Sequence, residues 1–309
     1  MGKLGFFYHE DYLSHLVPDG HPENILRLYS VLSSIKSQKF STPEFIKPPL
    51  ATDKTILLGH SQSYLQSLYN LSPSSAIISL DQDTFMSPGT LNAAKRGVGA
   101  ITAAIDHVMG QKIENAFCAV RPPGHHAEKD TAMGFCFLNS IGIGAIYALS
   151  QKSIGKVAVV DFDIHHGNGT QDFLFNRPNC LFISIHQKML FPNTGNEKET
   201  GLNDNILNIP VSPLSDSADL RYVFDKKVVP KLESFKPDFL LISAGFDGHK
   251  NDQISQTNWL TEDYFYMTHR LKELAQKHCE SRIVSSLEGG YDLTSLGECC
   301  KAHVRALLE

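Results

Sequence analysis

The amino-acid sequence predicts an α/β protein: a single open, mostly parallel β-sheet with helices on both faces. Three observations point there. Near-continuous apolar runs of about five or six residues recur along the chain, as in strands buried on both faces. Segments with helical periodicity separate them, so each strand reaches the next by a crossover. Polar residues able to do chemistry follow several of the runs directly, which is where a parallel sheet gathers its site.

Residues 4–8 form the first strand, and His21-Pro-Glu23 opens a helix over 24–36, with Ile25, Leu28, Val31, Leu32 and Ile35 at helical spacing. Asp53 is placed to cap a short element, and 61–71 is a helix. The polar stretch Asp81 to Pro88, broken by proline, reads as a loop. Residues 89–109 make a long helix whose Ala93, Ala94, Gly97, Gly99, Ala100, Ala103 and Ala104 suit close packing on a sheet. Strand 116–120 runs into Arg121-Pro-Pro-Gly-His-His-Ala127, where two prolines and a glycine stop the strand and forbid a helix. A second small-residue helix covers 140–150. Strands follow at 156–161 and 180–185, with a short one at 205–209. A helical stretch over 215–235 is ended by Pro237. Strand 238–243, helix 261–279, strand 282–287 and a helical tail from 293 complete the chain. Gly97-Val-Gly99 and Gly142-Ile-Gly144 look like nucleotide loops, but they lie inside helices, where close packing explains them. No linker, charge block or repeat divides residues 1–309, which read as one domain.

Composition narrows the function. With 309 residues, 42% hydrophobic and 20% charged, the chain can bury a sizeable core. A net charge of -5 lacks the footprint of a nucleic-acid binder and favours cationic substrates only as a weak field. The N-terminus turns polar too soon for a secretory signal or a membrane span, and Phe6 stands where a myristoylation motif starting Met1-Gly2 needs Ser or Thr. Six cysteines without CxxC spacing read as free thiols of a cytoplasmic protein. Nothing in the sequence specifies an oligomeric state.

Four strand ends carry the chemistry. They deliver His125 and His126; Asp161-Phe-Asp163-Ile-His165-His166-Gly-Asn168; Ala244-Gly-Phe-Asp247; and Glu288-Gly-Gly-Tyr291. An Asp at one strand end is ordinarily a cap or turn former, and paired histidines on a loop are ordinarily surface residues. Such readings would have to hold separately at four strand ends that converge on one crevice. Asp163 and His165, two apart in extended backbone, project to one side to grip a metal, and Asp247 supplies a third ligand. Two carboxylates and an imidazole with open positions fit catalytic zinc, and iron(II) suits the same set. Asp161 then orients a histidine, and His125 and His126 form the acid/base centre of a metal-dependent hydrolase.

At these residues the sequence resembles the zinc-dependent histone deacetylase family, which includes bacterial acetylpolyamine amidohydrolases and acetoin-utilisation proteins. The likeness spans nearly the whole chain, through Gly20-His-Pro-Glu23, Arg121 to Glu128, Gly134-Phe-Cys-Phe-Leu-Asn139, Val160 to Gln171, Ser243 to Asp247 and Leu287 to Tyr291. Asn168 and the Glu-Gly-Gly-Tyr form resemble the class II branch. The resemblance implies the arginase/deacetylase-like fold and one zinc per chain on Asp163, His165 and Asp247. It makes His126 the general base and acid, His125 with Asp161 electrostatic, Asn168 the orienter of His126, and Tyr291 the donor to the oxyanion. Gly289 and Gly290 would let Tyr291 swing. It further implies a substrate tunnel at Phe135, Phe191, Ile254, Gly134 and His21, and a structural potassium near Asp161, Asp163, His165 and Ser184. Arg27 resembles an arginine near an acetate exit channel.

The implied substrate is an acetylated lysine in a peptide or protein, or an acetylated polyamine. Ile254 stands where eukaryotic polyamine-specific relatives carry a glutamate, which speaks for lysine. Two rivals are a binuclear amidinohydrolase of the arginase type, using His249 and Asp252 for a second ion, and a non-catalytic acetyl-lysine reader. The Asp-x-Asp-x-His order and tandem histidines oppose the first, and the complete chemical set opposes the second.

Overall fold

The computed structural model describes residues 3–37 and 41–309; Met1 and Gly2, and the acylation motif with them, lie outside the described residues. Among the described residues ten strands run in chain order: β1 (Leu4–Phe7), β2 (Glu44–Ile46), β3 (Ile78–Ser79), β4 (Phe85–Met86) and β5 (Asn115–Cys118), then β6 (Val157–Asp161), β7 (Cys180–Gln187), β8 (Ile206–Val211), β9 (Phe239–Ala244) and β10 (Ile283–Leu287). Eight of them form one sheet in the order β2-β1-β5-β10-β9-β6-β7-β8. Every neighbouring pair is parallel, so the expected mostly parallel sheet is parallel throughout. Strands β5, β6, β9 and β10 are buried at every residue, as unbroken apolar runs require of strands covered on both faces. Helices Thr90–Met109 and Ser140–Leu149 pack on each other and on these four strands. Helices Leu26–Lys36, Thr261–His278 and Leu293–Leu308 form the other layer.

Several local expectations change. Strands β3 and β4 pair as an antiparallel hairpin, and β4 lies inside the stretch read as loop. Thr52, not Asp53, caps the short helix Asp53–Ile56, its Oγ1 accepting from Thr55 N at 3.2 Å. Residues read as one helix over 215–235 are two, Ser217–Val223 and Val229–Phe235, joined by a π-helical turn at Phe224–Val228. Pro230 has no N–H to close the regular bond four residues back, which accounts for the widened turn. Strand β8 runs from Ile206 to Val211 rather than over 205–209, although Asn205 O still accepts Phe182 N at 2.9 Å. Strand β5 is shorter than 116–120, and helix Asn168–Leu174 begins inside a motif read only for its chemistry. All six cysteines are free and buried, and among the described residues no helix is long and apolar enough to cross a membrane.

Candidate active site

Strands β5, β10, β9 and β6 are four adjacent strands in the middle of the sheet, so the segments leaving their C-terminal ends meet over its centre. Asp163 and His165 converge differently from the extended pattern expected of their spacing. Strand β6 stops at Asp161, and the chain then bends twice: Asp161 Oδ1 accepts Asp163 N at 3.0 Å, and Asp163 Oδ1 accepts His165 N at 2.9 Å. These two Asx-type turns, rather than strand alternation, aim the side chains together.

Asp163, His165 and Asp247 are buried and bring one ligand atom each to within 4.8 Å of one another. His165 Nδ1 lies 2.9 Å from Asp247 Oδ2 and 3.2 Å from Asp163 Oδ1. Backbone amides hold the carboxylates: Ile164 N donates to Asp247 Oδ1 at 3.0 Å, and Gly289 N donates to Asp163 Oδ2 at 2.8 Å. A Cβ at Gly289 would stand 2.4 Å from Asp247 Oδ2 and 2.6 Å from Asp163 Oδ2, so the carboxylates fill the space a side chain would take. Burial disfavours charge on His165, yet Asp163 and Asp247 outweigh it and push its pKa up to about 10. Burial, then the Asp163 charge, raise Asp247 to about 6. Two buried carboxylates facing one imidazole call for a cation, and two oxygens with one imidazole nitrogen are the donor set of catalytic zinc or iron(II). The residues fit such an ion.

Around this cluster, His125 Nδ1 pairs with Asp161 Oδ2 at 2.9 Å, and His126 Nδ1 with Asn168 Oδ1 at 2.8 Å. Although burial opposes it, the Asp163 and Asp161 charges raise His125 to about 10. Burial first, then the positive His125 and His165, hold His126 well below the usual imidazole range. The two neighbouring imidazoles are thus pushed in opposite directions, His125 up and His126 down. Tyr291 stands edge-on to Phe135 at 5.9 Å, with Arg27 Cζ 4.9 Å from its ring centre. Burial pushes the Tyr291 phenol well above its usual range, which keeps the O–H as a donor.

A narrow cleft of ≈ 130 Å³ leads to these groups, walled by Gly134, Phe135, Phe191 and Ile254, with Asp83 also lining it. His21 is not on the wall; it stands behind Phe135, ring to ring at 4.8 Å, and bonds to Asp83 O through Nε2 at 3.0 Å. Ser184 sits beside Asp161 in the β6–β7 register, with its Oγ 2.9 Å from His186 Nδ1. Arg27 is buried under the tyrosine segment, Nε donating to Gly290 O at 2.6 Å. A larger surface hollow of ≈ 590 Å³, lined mostly by residues 186–199, contains none of the three metal donors. His249 and Asp252 build no second metal cluster among the described residues; Asp252 Oδ2 instead accepts Tyr291 N at 2.6 Å.

Sequence reasoning assigned no role to Glu288, whose buried carboxylate accepts Gly124 N at 2.7 Å and His125 N at 3.2 Å. It also missed Glu23, which meets Arg121 Nε at 2.8 Å. An acid directly after an apolar strand and an arginine ending another were the available signals.

A family model, the histone deacetylase domain, matches residues 21–307. An uncharacterised protein of Synechocystis is 38% identical over 309 residues, with 99% of each chain covered. A probable deacetylase of Archaeoglobus fulgidus is 35% identical over 94% of this chain and 81% of its own. A type-2 histone deacetylase of Dictyostelium discoideum is 35% identical over 98% of this chain, which spans only 20% of that longer protein. The crystal structure of the HDA15 HD domain resembles this fold with a TM-score of 0.91 at 29% identity, covering 99% of this chain and 90% of that one.

Proposed function

The chain belongs to the histone deacetylase family, and from that premise we propose that it removes an acetyl or related acyl group from the side-chain amine of lysine. At the coarser level it is a hydrolase of amide bonds. One observation carries the finer reading: Asp163, His165 and Asp247 share a point beside a narrow apolar cleft that His126 and Tyr291 also line. The family is generally zinc-dependent. One zinc per chain on those three residues, or iron(II), would polarise the acyl carbonyl and acidify a water.

The side chains supply the rest. His126, bonded through Nδ1 to Asn168, takes a proton at Nε2 as water adds to the carbonyl carbon. It returns that proton to the amine nitrogen as the C–N bond breaks. His125, charged against Asp161, acts through its field. The Tyr291 hydroxyl donates to the carbonyl oxygen as negative charge develops there. Phe135, Phe191, Gly134 and Ile254 suit a straight methylene chain and keep bulk water from it. Asp161, Asp163, His165 and Ser184 are proposed, on the family resemblance, to border a structural potassium, and the chain is proposed to act as a single catalytic unit. Asp83 favours a second reading: it is an acidic residue lining the cleft, which would suit the further ammonium of an acetylated polyamine.

A fluorogenic acetyl-lysine assay tests the activity. Turnover should vanish on chelation, return with zinc or iron(II), and fall by at least about a hundredfold in Tyr291→Phe and His126→Ala. Unchanged turnover in either variant would refute the assigned role. A kcat/KM panel of acetyl-lysine peptides against acetylated putrescine, cadaverine and spermidine separates the two substrate readings.

A further inference from the structure

The hydrogen-bond chain behind His126 does not end at Asn168. Asn168 Nδ2 donates to Glu128 Oε1 at 2.8 Å, with longer approaches to Met133 Sδ at 3.3 Å and His126 O at 3.4 Å. A carboxamide presents an acceptor on one side and a donor on the other, and its two orientations have nearly the same shape. A carboxylate only accepts. Glu128 therefore admits one orientation of Asn168, with the NH₂ towards itself and Oδ1 towards His126. The reverse orientation would set two acceptor oxygens against each other at the Glu128 contact.

That orientation decides the imidazole. Asn168 Oδ1, 2.8 Å from His126 Nδ1, demands a proton on that nitrogen. A neutral imidazole carries one N–H, so the lone pair is left on Nε2. This is the nitrogen a general base must offer.

Glu128 is held for the task. Its N–H bonds to Thr131 O at 3.0 Å, and the next residue's N–H bonds to Asp172 Oδ2 at 2.9 Å. Asp172 lies on helix Asn168–Leu174, which Asn168 begins, so the Glu128 turn is tied to the same element as its partner. Glu128 is half-buried and faces a separate hollow of ≈ 270 Å³ open to solvent. It therefore adds no fully buried carboxylate to a site that already contains four, Asp161, Asp163, Asp247 and Glu288.

We propose that Glu128 is a positioning residue of the hydrolytic site: it fixes the amide of Asn168 and, through it, the Nδ1–H tautomer of His126. The proposal rests on His126 being the general base. The metal-loaded enzyme and three variants test it. Glu128→Met removes the acceptor at similar volume and should lower kcat by roughly tenfold or more, with KM within about threefold of wild type. Glu128→Gln still offers an oxygen and should retain kcat within about threefold. Glu128→Lys, tolerable at a solvent-facing position, presents only donors and should lower kcat at least as far as Met.

The direct readout is nitrogen NMR of histidine-labelled enzyme, with the His126 signals identified by their loss in His126→Ala. Nδ1 should be protonated in wild type and Glu128→Gln, and the Nε2–H tautomer should appear in Glu128→Met and Glu128→Lys. Wild-type kcat in Glu128→Met, or an unaltered tautomer in both disruptive variants, would overturn the proposal. If His126→Ala abolishes turnover while those variants behave as wild type, only the role of Glu128 fails. If His126→Ala itself turns over normally, the functional reading fails with it.

Discussion

Gly134 occupies a position where even a methyl group has no room. A Cβ there would stand 2.6 Å from His126 Cδ2 and 2.8 Å from Phe191 Cε1, and the backbone sits at φ +55°. Both obstacles belong to the site, so a side chain at 134 would displace the base or narrow the cleft. Left-handed backbone adds a strain of about 1 kcal/mol for any L-residue with a Cβ. Gly134→Ala should therefore lower kcat/KM by at least about tenfold while leaving metal content unchanged, as steady-state kinetics and metal analysis would show. Unaltered kcat/KM would mean that the cleft is not the substrate's path. Residues such as Asp163, His165 and His126 were legible in the sequence because each belongs to a short local pattern at a strand end. The roles of Glu288 and Asp252 were not, because Glu288 meets Gly124 from 164 positions away and Asp252 meets Tyr291 from 39. No spacing rule encodes such pairs.

The segment from Glu288 to Asp292 is tethered on both sides. Arg27 donates to Gly290 O at 2.6 Å and also to Glu288 O, while Asp252 Oδ2 accepts Tyr291 N at 2.6 Å and Asp292 N at 3.1 Å. Two consecutive glycines suggest a freely swinging tyrosine; these bonds hold its backbone in place instead. Asp252→Ala removes the acceptor of both bonds and should reduce kcat by about tenfold with little change in KM, since Tyr291 acts in the transition state. In the Asp252→Ala background, Tyr291→Phe should cost less than it does alone, because the phenol is already misplaced. Strict additivity in this double-mutant cycle would separate Asp252 from the tyrosine. Long apolar runs and 3.6-residue periodicity made the central strands and major helices readable at this scale. The hairpin of β3 and β4, two residues per strand, is too short for any alternation to register, and edge strand β2 has only three, all exposed or half-buried.

Across the molecule, a buried ionic cluster ties the first active-site segment to the exits of β5 and β10. Glu23 Oε1 accepts from Arg121 Nε at 2.8 Å and from Arg27 Nη1 at 3.0 Å, and Oε2 lies 3.3 Å from His15 Nε2. Arg121 also donates to Tyr12 O and Glu23 O at 3.0 Å each. Burial alone would raise the Glu23 carboxyl, but Arg121 foremost, then His15 and Arg27, hold it at about 2, against an ordinary value of 4.5. A carboxyl depressed in the folded state binds protons more readily when unfolded. Its stabilising contribution is therefore complete above pH 4.5 and is lost as pH falls towards 2. Glu23→Gln leaves two buried arginines short of a counter-charge and should cost about 3 kcal/mol at pH 7. Urea unfolding of wild type and variant at pH 7, about 4 and about 3 should show that gap shrinking only below the unfolded value. The wild type should lose the advantage as it takes up the proton that the glutamine never needed. A gap that stays constant through this range would mean that the cluster contributes packing and hydrogen bonds but no net charge stabilisation.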